Sequence, residues 1–515
     1  MIVLTSVGSA AAAPPSPVVV RDVMTGTDDL GSLTIPVDPI QDYVQPDTQI
    51  EPSIAVNPSN PLNVVTAYQE GRLANGGDAT NGFATSFDGG ATWIHGELPG
   101  LTHYGQGTTL DQGGFFERAS DAVVAFGPNN TVYANSLIFD QNEQSGLRSG
   151  IAINVSRNGG RTWSPPVIFQ DDNLGGLNDK NWIVVDNSNA PGHHLGRVYA
   201  VWDRVAPVVY NYCDSNCEQL ANWLPVMQTI DPVVYPGQGI GSYPVVMQSG
   251  ALGIALQSLT PGAPTRATDE PDVQSGSFQQ FIIAPAAGTT PWPAPLAFTP
   301  PVHVSNNHSG GVTAQRASDG LPSAAVDPKS GAVYDVWDDT RFRTDGKNDV
   351  VISKSGDEGT TWSVPTRVSP GPTGDKVNHY NAAVSVGTDG NVHVMWRQRD
   401  ETAAAPLFSD VIDTYYSESG DGGATWSAPL KVNAQPSNPW YGAFSRDGTF
   451  EGDYNEIASA GGYTYITRDQ GQPAYTGETV PLVKNSATTI TLTQAGKTHQ
   501  HQRTWVALVR NQAGG

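Results

Sequence analysis

The chain has 515 residues, with 27 Lys and Arg against 50 Asp and Glu, a formal net charge of −23. Such an acidic balance repels nucleic acid and anionic membrane, and no later run approaches the roughly 20 apolar residues of a membrane span. The 56 glycines and 39 prolines, the scarcity of amphipathic helical runs and the many short β-branched or aromatic stretches between turn residues read as all-β.

In chain order, residues 1–13, from Met1-Ile2-Val3-Leu4-Thr5 to Ala10-Ala11-Ala12-Ala13, look like the apolar and small-residue end of a signal peptide. The protein is therefore expected to be secreted or held at the cell surface. Residues 14–49 form an irregular, acidic, Pro-containing segment in which Val18 to Val23 is a β-prone run able to pair with the last strand and close a ring.

From residue 50 to 515 the chain repeats itself. Pairs of β runs split by a turn begin at Glu51, Asp121, Trp182, Tyr243, Pro322, Asn381 and Asn455, and small or β-branched residues in the first run of each pair suit a crowded place beside a central axis. A second repeat follows the pairs: Ser86-Phe87-Asp88-Gly89-Gly90-Ala91-Thr92-Trp93 returns at Ser156 to Trp163, Ser355 to Trp362 and Ser419 to Trp426. Asn216 to Trp223 and Gly288 to Trp292 look like decayed copies, and Arg503-Thr504-Trp505 could be a further one.

The pattern S-x-D-x-G-x-T-W resembles the Asp-box, or bacterial neuraminidase repeat, of sialidase-like β-propellers. The resemblance implies one propeller domain over residues 50–515, of four-stranded antiparallel blades, with the boxes on the outer rim away from the substrate. The strand pairs suggest seven blades, with six, the sialidase count, as the alternative. In the box itself the Asp or Asn can accept backbone amide hydrogens and the Gly takes a positive φ, so Asp88, Asp357 and Asp421 read as turn-makers.

In a propeller the residues just before each inner strand ring one mouth of the channel. Here these include Glu51, Arg118, Asp121, Asp179, Lys180, Asn181, Tyr243, Asp319, His379, Tyr380, Glu451, Asp453 and Tyr454. Carboxylates for acid–base work, aromatics for stacking and amides for hydroxyls are the mixture of a sugar site. A glycosidase would draw its two carboxyls from Asp121, Glu51, Asp179 and Asp453, with Arg118, Lys180, Asn181, Tyr243 and Tyr454 holding substrate. Strand capping, or pairing with Arg118 and Lys180, is the plainer account of any one acid.

A sialidase site would add three arginines gripping the substrate carboxylate, but the family's early F/Y-R-I-P element has no counterpart in Asp47-Thr48-Gln49-Ile50-Glu51-Pro52. Two other readings stay open. A uronate lyase would use His379 and Tyr380 as base and acid with Arg118 and Lys180 beside the uronate; a buried structural pair is the commoner explanation. A non-catalytic propeller would bind a glycan or protein through the same ring.

Cys213 and Cys217 suit a local disulfide. No cofactor and no metal is expected at the site; Asp345, Asn348 and Asp349 could lend oxygens to a structural calcium, although EF-hand spacing is absent, and His499 and His501 lack a third partner. Sequons at Asn129, Asn154 and Asn307 have surface-loop readings. The expected partner is a glycan or polysaccharide, with neither nucleic acid nor membrane.

Overall fold

The computed structural model describes all residues except 1–15, 28–29, 31–43, 74, 104–113, 115, 141–147, 173–176, 205, 226–232, 260–262, 265–276, 314, 318, 372–376, 402–410, 446–447, 473–482, 485–489, 492–500 and 511–515. The signal-peptide reading, His499 and most of the Thr260 to Gly276 insertion lie outside the described residues. Among those described, regular helix is limited to the short 3-10 turns Leu220–Asn222 and Pro439–Tyr441. The remaining regular structure is mostly antiparallel meander, as the alternation of β-branched runs and turn residues implies, with short parallel pairings at Ala263–Pro264, Gln315–Arg316 and Thr48.

A twelve-stranded sheet runs Ile457–Ala460, Tyr463–Gly471, Gln502–Arg510, Val44–Val56, Val64–Leu73, Asp78–Ser86, Arg118–Phe126, Val132–Asp140, Arg148–Ser156, Val167–Asp172, with Val18–Met24 and Ile94–Glu97 at its side. Four-stranded sheets begin at Asp179–Val185, Ser323–Val326 and Val377–Val386, and a five-stranded one at Gly239–Val246. Two- and three-stranded ribbons complete the set.

Counted among the described residues as continuous hydrogen-bonded sheets of four or more strands, the propeller has five blades, which corrects the expected seven and also the alternative six. The reason lies at the seams. Asp78 pairs with Ala119, and Thr48 with Gln502, so three meanders fuse into the twelve-stranded sheet. Sequence repeats count meanders; they carry no signal for whether neighbouring meanders stay hydrogen-bonded.

Ring closure follows the sequence reading. Val18–Met24 lies antiparallel on Gln502–Arg510 from Val18 opposite Arg510 to Met24 opposite Trp505, so the two ends of the chain share one sheet. Trp505 therefore sits inside a strand, under the Arg468 guanidinium, and makes no hairpin.

The S-x-D-x-G-x-T-W hairpins behave as turn-makers. Asp88 accepts from Thr92 N at 2.9 Å, Thr92 Oγ1 at 2.7 Å and Ser86 Oγ at 2.8 Å, and Asp357 and Asp421 repeat the set. Gly89 and Gly90 hold φ of 68° and 82° there, which is why glycine is needed. The indoles bolt hairpin to neighbouring meander: Trp163 meets Phe83 edge-on at 5.6 Å and Trp362 meets Phe281 at 5.1 Å. The decayed copy ending at Trp223 stacks its ring on Phe169 at 4.1 Å and is tied by the Cys213–Cys217 disulfide. The other, ending at Trp292, leaves its indole 39% exposed.

Two of the sequons are not surface loops. Asn154 and Asn307 are buried and donate to the carbonyls of Ser164 and Gly320, respectively.

Candidate functional site

Each inner strand was expected to deliver its first residues to one mouth of the channel. The way it does so was not foreseen. In five inner strands one extra residue breaks the register: at Ile50 to Ser53, Ser120 to Val123, Asp179 to Trp182, Ile240 to Tyr243 and Tyr380 to Ala383. The second residue of each is left-handed: Glu51 at φ 50°, Asp121 at 47°, Lys180 at 49°, Gly241 at 71° and Asn381 at 50°. Such bulges kink the strand and re-aim a side chain, and a left-handed non-glycine residue costs on the order of 1–3 kcal/mol that surrounding structure must hold. Asp319 is also left-handed, at φ 49°, but it lies four residues ahead of Ser323, whereas the bulge residues lie two ahead of the point where register resumes.

Three of these re-aimed residues, Glu51, Asp121 and Lys180, line a cavity of about 330 Å³, with Asp179, Asp453 and Arg316. Glu51 Oε1 accepts from the Asp453 amide at 2.7 Å, and its Oε2 accepts from Gln69 Nε2. The same Gln69 nitrogen donates to Asp121 Oδ1 at 3.3 Å, so one amide spans the two carboxyls. Asp121 Oδ2 accepts from the Lys180 amide at 2.9 Å, and its carbonyl oxygen accepts from Asn181 Nδ2 at 2.9 Å. Arg316 forks both oxygens of Asp453, its Nε lying 3.1 Å from Oδ1, and rests on the Phe450 ring.

Electrostatics separates these acids. Burial, then the nearby Asp453 and Asp121 charges, push the Glu51 carboxyl up to about 7, against the pull of Lys180 and Arg316. Burial also raises Asp121, against Lys180. A carboxylic acid beside a guanidinium-paired carboxylate is an acid–base arrangement poised near neutrality.

The floor is aromatic. Lys180 Nζ lies 3.3 Å from the centroid of Tyr454, which meets Trp182 edge-on at 5.3 Å, and Trp182 packs on Tyr243 at 4.6 Å. Tyr243 donates to Glu456 at 3.2 Å. Trp182, Tyr243 and Glu456 line a second cavity of about 320 Å³ that shares no lining residue with the first. Lys180 of the first cavity and Trp182 and Tyr243 of the second are thus linked through the Tyr454 ring.

Of the sequence candidates, Glu51, Asp121, Asp179, Lys180 and Asp453 share this cavity. Asp179 stands exposed at its edge. Tyr454 lies beneath Lys180, and Asn181 fixes the Asp121 backbone. Arg118 reaches the wall, donating to Asn75 and to Gly76 O at 2.6 Å. Tyr243 belongs to the second cavity.

His379 and Tyr380 do not line the cavity. His379 Nδ1 lies 3.1 Å from Asp349, and Tyr380 is wholly buried beside Val312 and Ile412, its hydroxyl accepting from Gln315 at 3.0 Å. Alternation along the strand sends the two rings to opposite faces. The calcium candidates are engaged within the chain: Arg343 forks Asp345, Asp349 faces Arg343 and Arg367 and lies 3.1 Å from His379 Nδ1, and Asn348 bonds to the Gly310 backbone.

Gln69, Arg72 and Arg148 are not among the residues expected at the ring, and Arg316 is expected there only as one of five arginines, with Arg118, Arg341, Arg397 and Arg446, that could join a cluster no motif assigns. Gln69 and Arg72 come from a second strand, Val64–Leu73, and Arg316 from a two-residue strand, so the rule of looking before each inner strand passes over them. One signal existed: Gln69 directly follows the β run Asn63-Val64-Val65-Thr66-Ala67-Tyr68, with Arg72 close behind.

No protein-family profile matches the chain, and no curated protein is similar in sequence. Solved structures are similar over most of its length. One is a protein of unknown function from Dyadobacter fermentans, at 11% identity, covering 96% of this chain and 100% of that one with a TM-score of 0.44. Another is the Penicillium chrysogenum alpha-L-arabinanase complexed with arabinobiose, at 9% identity, 96% and 98% coverage and 0.41. A third is the phage phi92 endosialidase, at 11%, 91% and 69%, and 0.45. A sialidase is thus among the structures this chain is similar to.

Proposed function

We propose that this protein is a carbohydrate-active propeller, an exo-acting glycoside hydrolase of sialidase-like build that works with paired carboxylates at the channel mouth. The observation that carries the reading is the buried Glu51 carboxyl, held near 7 within one amide's reach of Asp121 and next to Asp453. Glu51 protonates the departing glycosidic oxygen; Asp453, charge-paired with Arg316, is the partner that faces the developing positive charge or the attacking water.

An exported protein fits the Cys213–Cys217 disulfide, which persists in oxidising compartments. A β-eliminating lyase through His379 and Tyr380 gains no support, since neither group reaches the cavity. The test is digestion of a glycan panel read by mass spectrometry. Products heavier by one water, absent with Glu51→Gln, are expected; unsaturated ends absorbing in the ultraviolet, or no product from any glycan, would refute hydrolysis.

A further inference from the structure

The cations of the cavity are unequally engaged. Arg72 donates to Asp78 at 3.2 Å, Arg148 holds Asp171 through two contacts at 2.9 and 2.7 Å, and Arg316 forks Asp453. Among the described residues, every guanidinium lining the cavity thus already has a carboxylate of its own. Lys180 differs. The residue is 8% exposed, and its Nζ has no hydrogen-bond partner, though an ammonium carries three donors. It sits over the Tyr454 ring, within the field of Glu51, Asp121 and Asp179.

An orphaned buried donor is costly unless a ligand completes it. Two kinds of ligand group could do so. A sugar carboxylate would bring one more negative charge into a cavity lined by Glu51, Asp121, Asp140, Asp179 and Asp453, with no unpaired guanidinium among the described lining residues to receive it. A hydroxyl brings no charge and can accept from Lys180 while donating to a carboxylate beside it.

Resting on the hydrolase reading above, we propose that the cavity selects an uncharged terminal sugar, gripped by a vicinal diol between Lys180 Nζ and the Asp179 carboxylate, and discriminates against sialic and uronic acids. One hydroxyl accepts from the ammonium; its neighbour donates to Asp179, which stands at the cavity edge. Lys180 is then a binding residue set on the Tyr454 ring, and the arginines serve the enzyme's own carboxylates.

The test uses the full chain with p-nitrophenyl glycosides of neutral hexoses and pentoses, of glucuronic acid and of N-acetylneuraminic acid, and measures binding of the corresponding free sugars by calorimetry. At least one neutral glycoside is expected to be turned over 100-fold faster than either acidic one. Lys180→Met is expected to raise KM for it at least 10-fold with kcat within a few-fold, and Lys180→Arg to recover part of the loss. Asp179→Asn, at an exposed position, gives the same direction if Lys180→Met fails to fold. Equal or better cleavage of an acidic glycoside, or an unchanged KM in Lys180→Met and Asp179→Asn, overturns the proposal while leaving hydrolysis intact. If no glycoside is cleaved yet a neutral sugar binds and Lys180→Met weakens it, the hydrolase reading fails and the selectivity stands; if no neutral sugar binds or is cleaved, the selectivity fails as well.

Discussion

On the outer rim Asp88 stands in solvent and accepts from Ser86, from the Thr92 amide and from the Thr92 hydroxyl, and its carboxyl is drawn down to about 2, first by the Thr92 amide. At the channel mouth Glu51 is buried beside two other acids, and its carboxyl is driven up to about 7. The same functional group is over-supplied with donors in one place and crowded with acceptors in the other. A carboxylate that receives more hydrogen bonds than it needs is a piece of architecture; one that is desolvated among its own kind holds a proton it can give away. Frequency in the sequence points the other way, because the rim acids repeat and the mouth acids do not.

Removing the mouth acid should produce the largest effect. Glu51→Gln is expected to lower kcat/KM on the preferred glycan by 10²–10⁴-fold, the usual worth of a general acid, while the melting temperature holds or rises. Wild-type kcat/KM should fall above about pH 7 as Glu51 loses its proton, and the variant should lack that limb. Retained activity with an unaltered pH profile would erase the contrast between mouth and rim.

Stability against pH comes next in size. Glu51 and Glu456 are both raised by burial from 4.5 to about 7, and Asp78 from 3.8 to about 7. A raised acid binds its proton more tightly in the folded state, so its contribution is fully present below the unfolded value and is lost as pH climbs to the folded one. Unfolding free energy should therefore decline between about pH 4.5 and 7, each group adding up to about 1.4 kcal/mol per pH unit. Denaturant titrations at half-unit intervals would show it, and Glu456→Gln should flatten the slope without touching the cavity.

At the rim the effect is smaller and of the opposite character. Asp421→Ala removes the acceptor for Thr425 N and Oγ1 and should cost about 1 kcal/mol, as loss of a capping side chain does, with kcat/KM unchanged. A loss of activity at constant stability would place the hairpins in the site. Smallest of all, Asp319→Gly should gain roughly 0.5–1 kcal/mol in chemical denaturation by releasing a left-handed aspartate. The same exchange at Asp121 should relieve the backbone yet cost activity, which separates strain kept for a site from strain kept for the fold.

Much of this was legible beforehand. Alternating Val, Ile and aromatic runs such as Val132-Tyr133-Ala134 imply strands, the Ser-x-Asp-x-Gly spacing implies a hairpin, and Val18 to Val23 implies a closing strand, because each depends on bonds a few residues apart or on pattern alone. Glu51, Asp121, Asp179 and Asp453 were legible as a group because a propeller fixes where the start of each inner strand must lie.

The remainder arises between residues far apart in the chain. Whether Asp78 pairs with Ala119, and so how many sheets the strands make, depends on how meanders settle against each other across a seam. That Gln69 bridges Glu51 and Asp121, that Arg316 serves Asp453, and that Lys180 Nζ is left without a hydrogen-bond partner are outcomes of packing. An all-β ring with acids at one mouth can be read from the chain alone, since period and turn chemistry are local. Which acid is pushed to hold its proton, and which cation keeps its donors unspent, emerges only on folding, since burial and charge spacing are properties of the assembled whole.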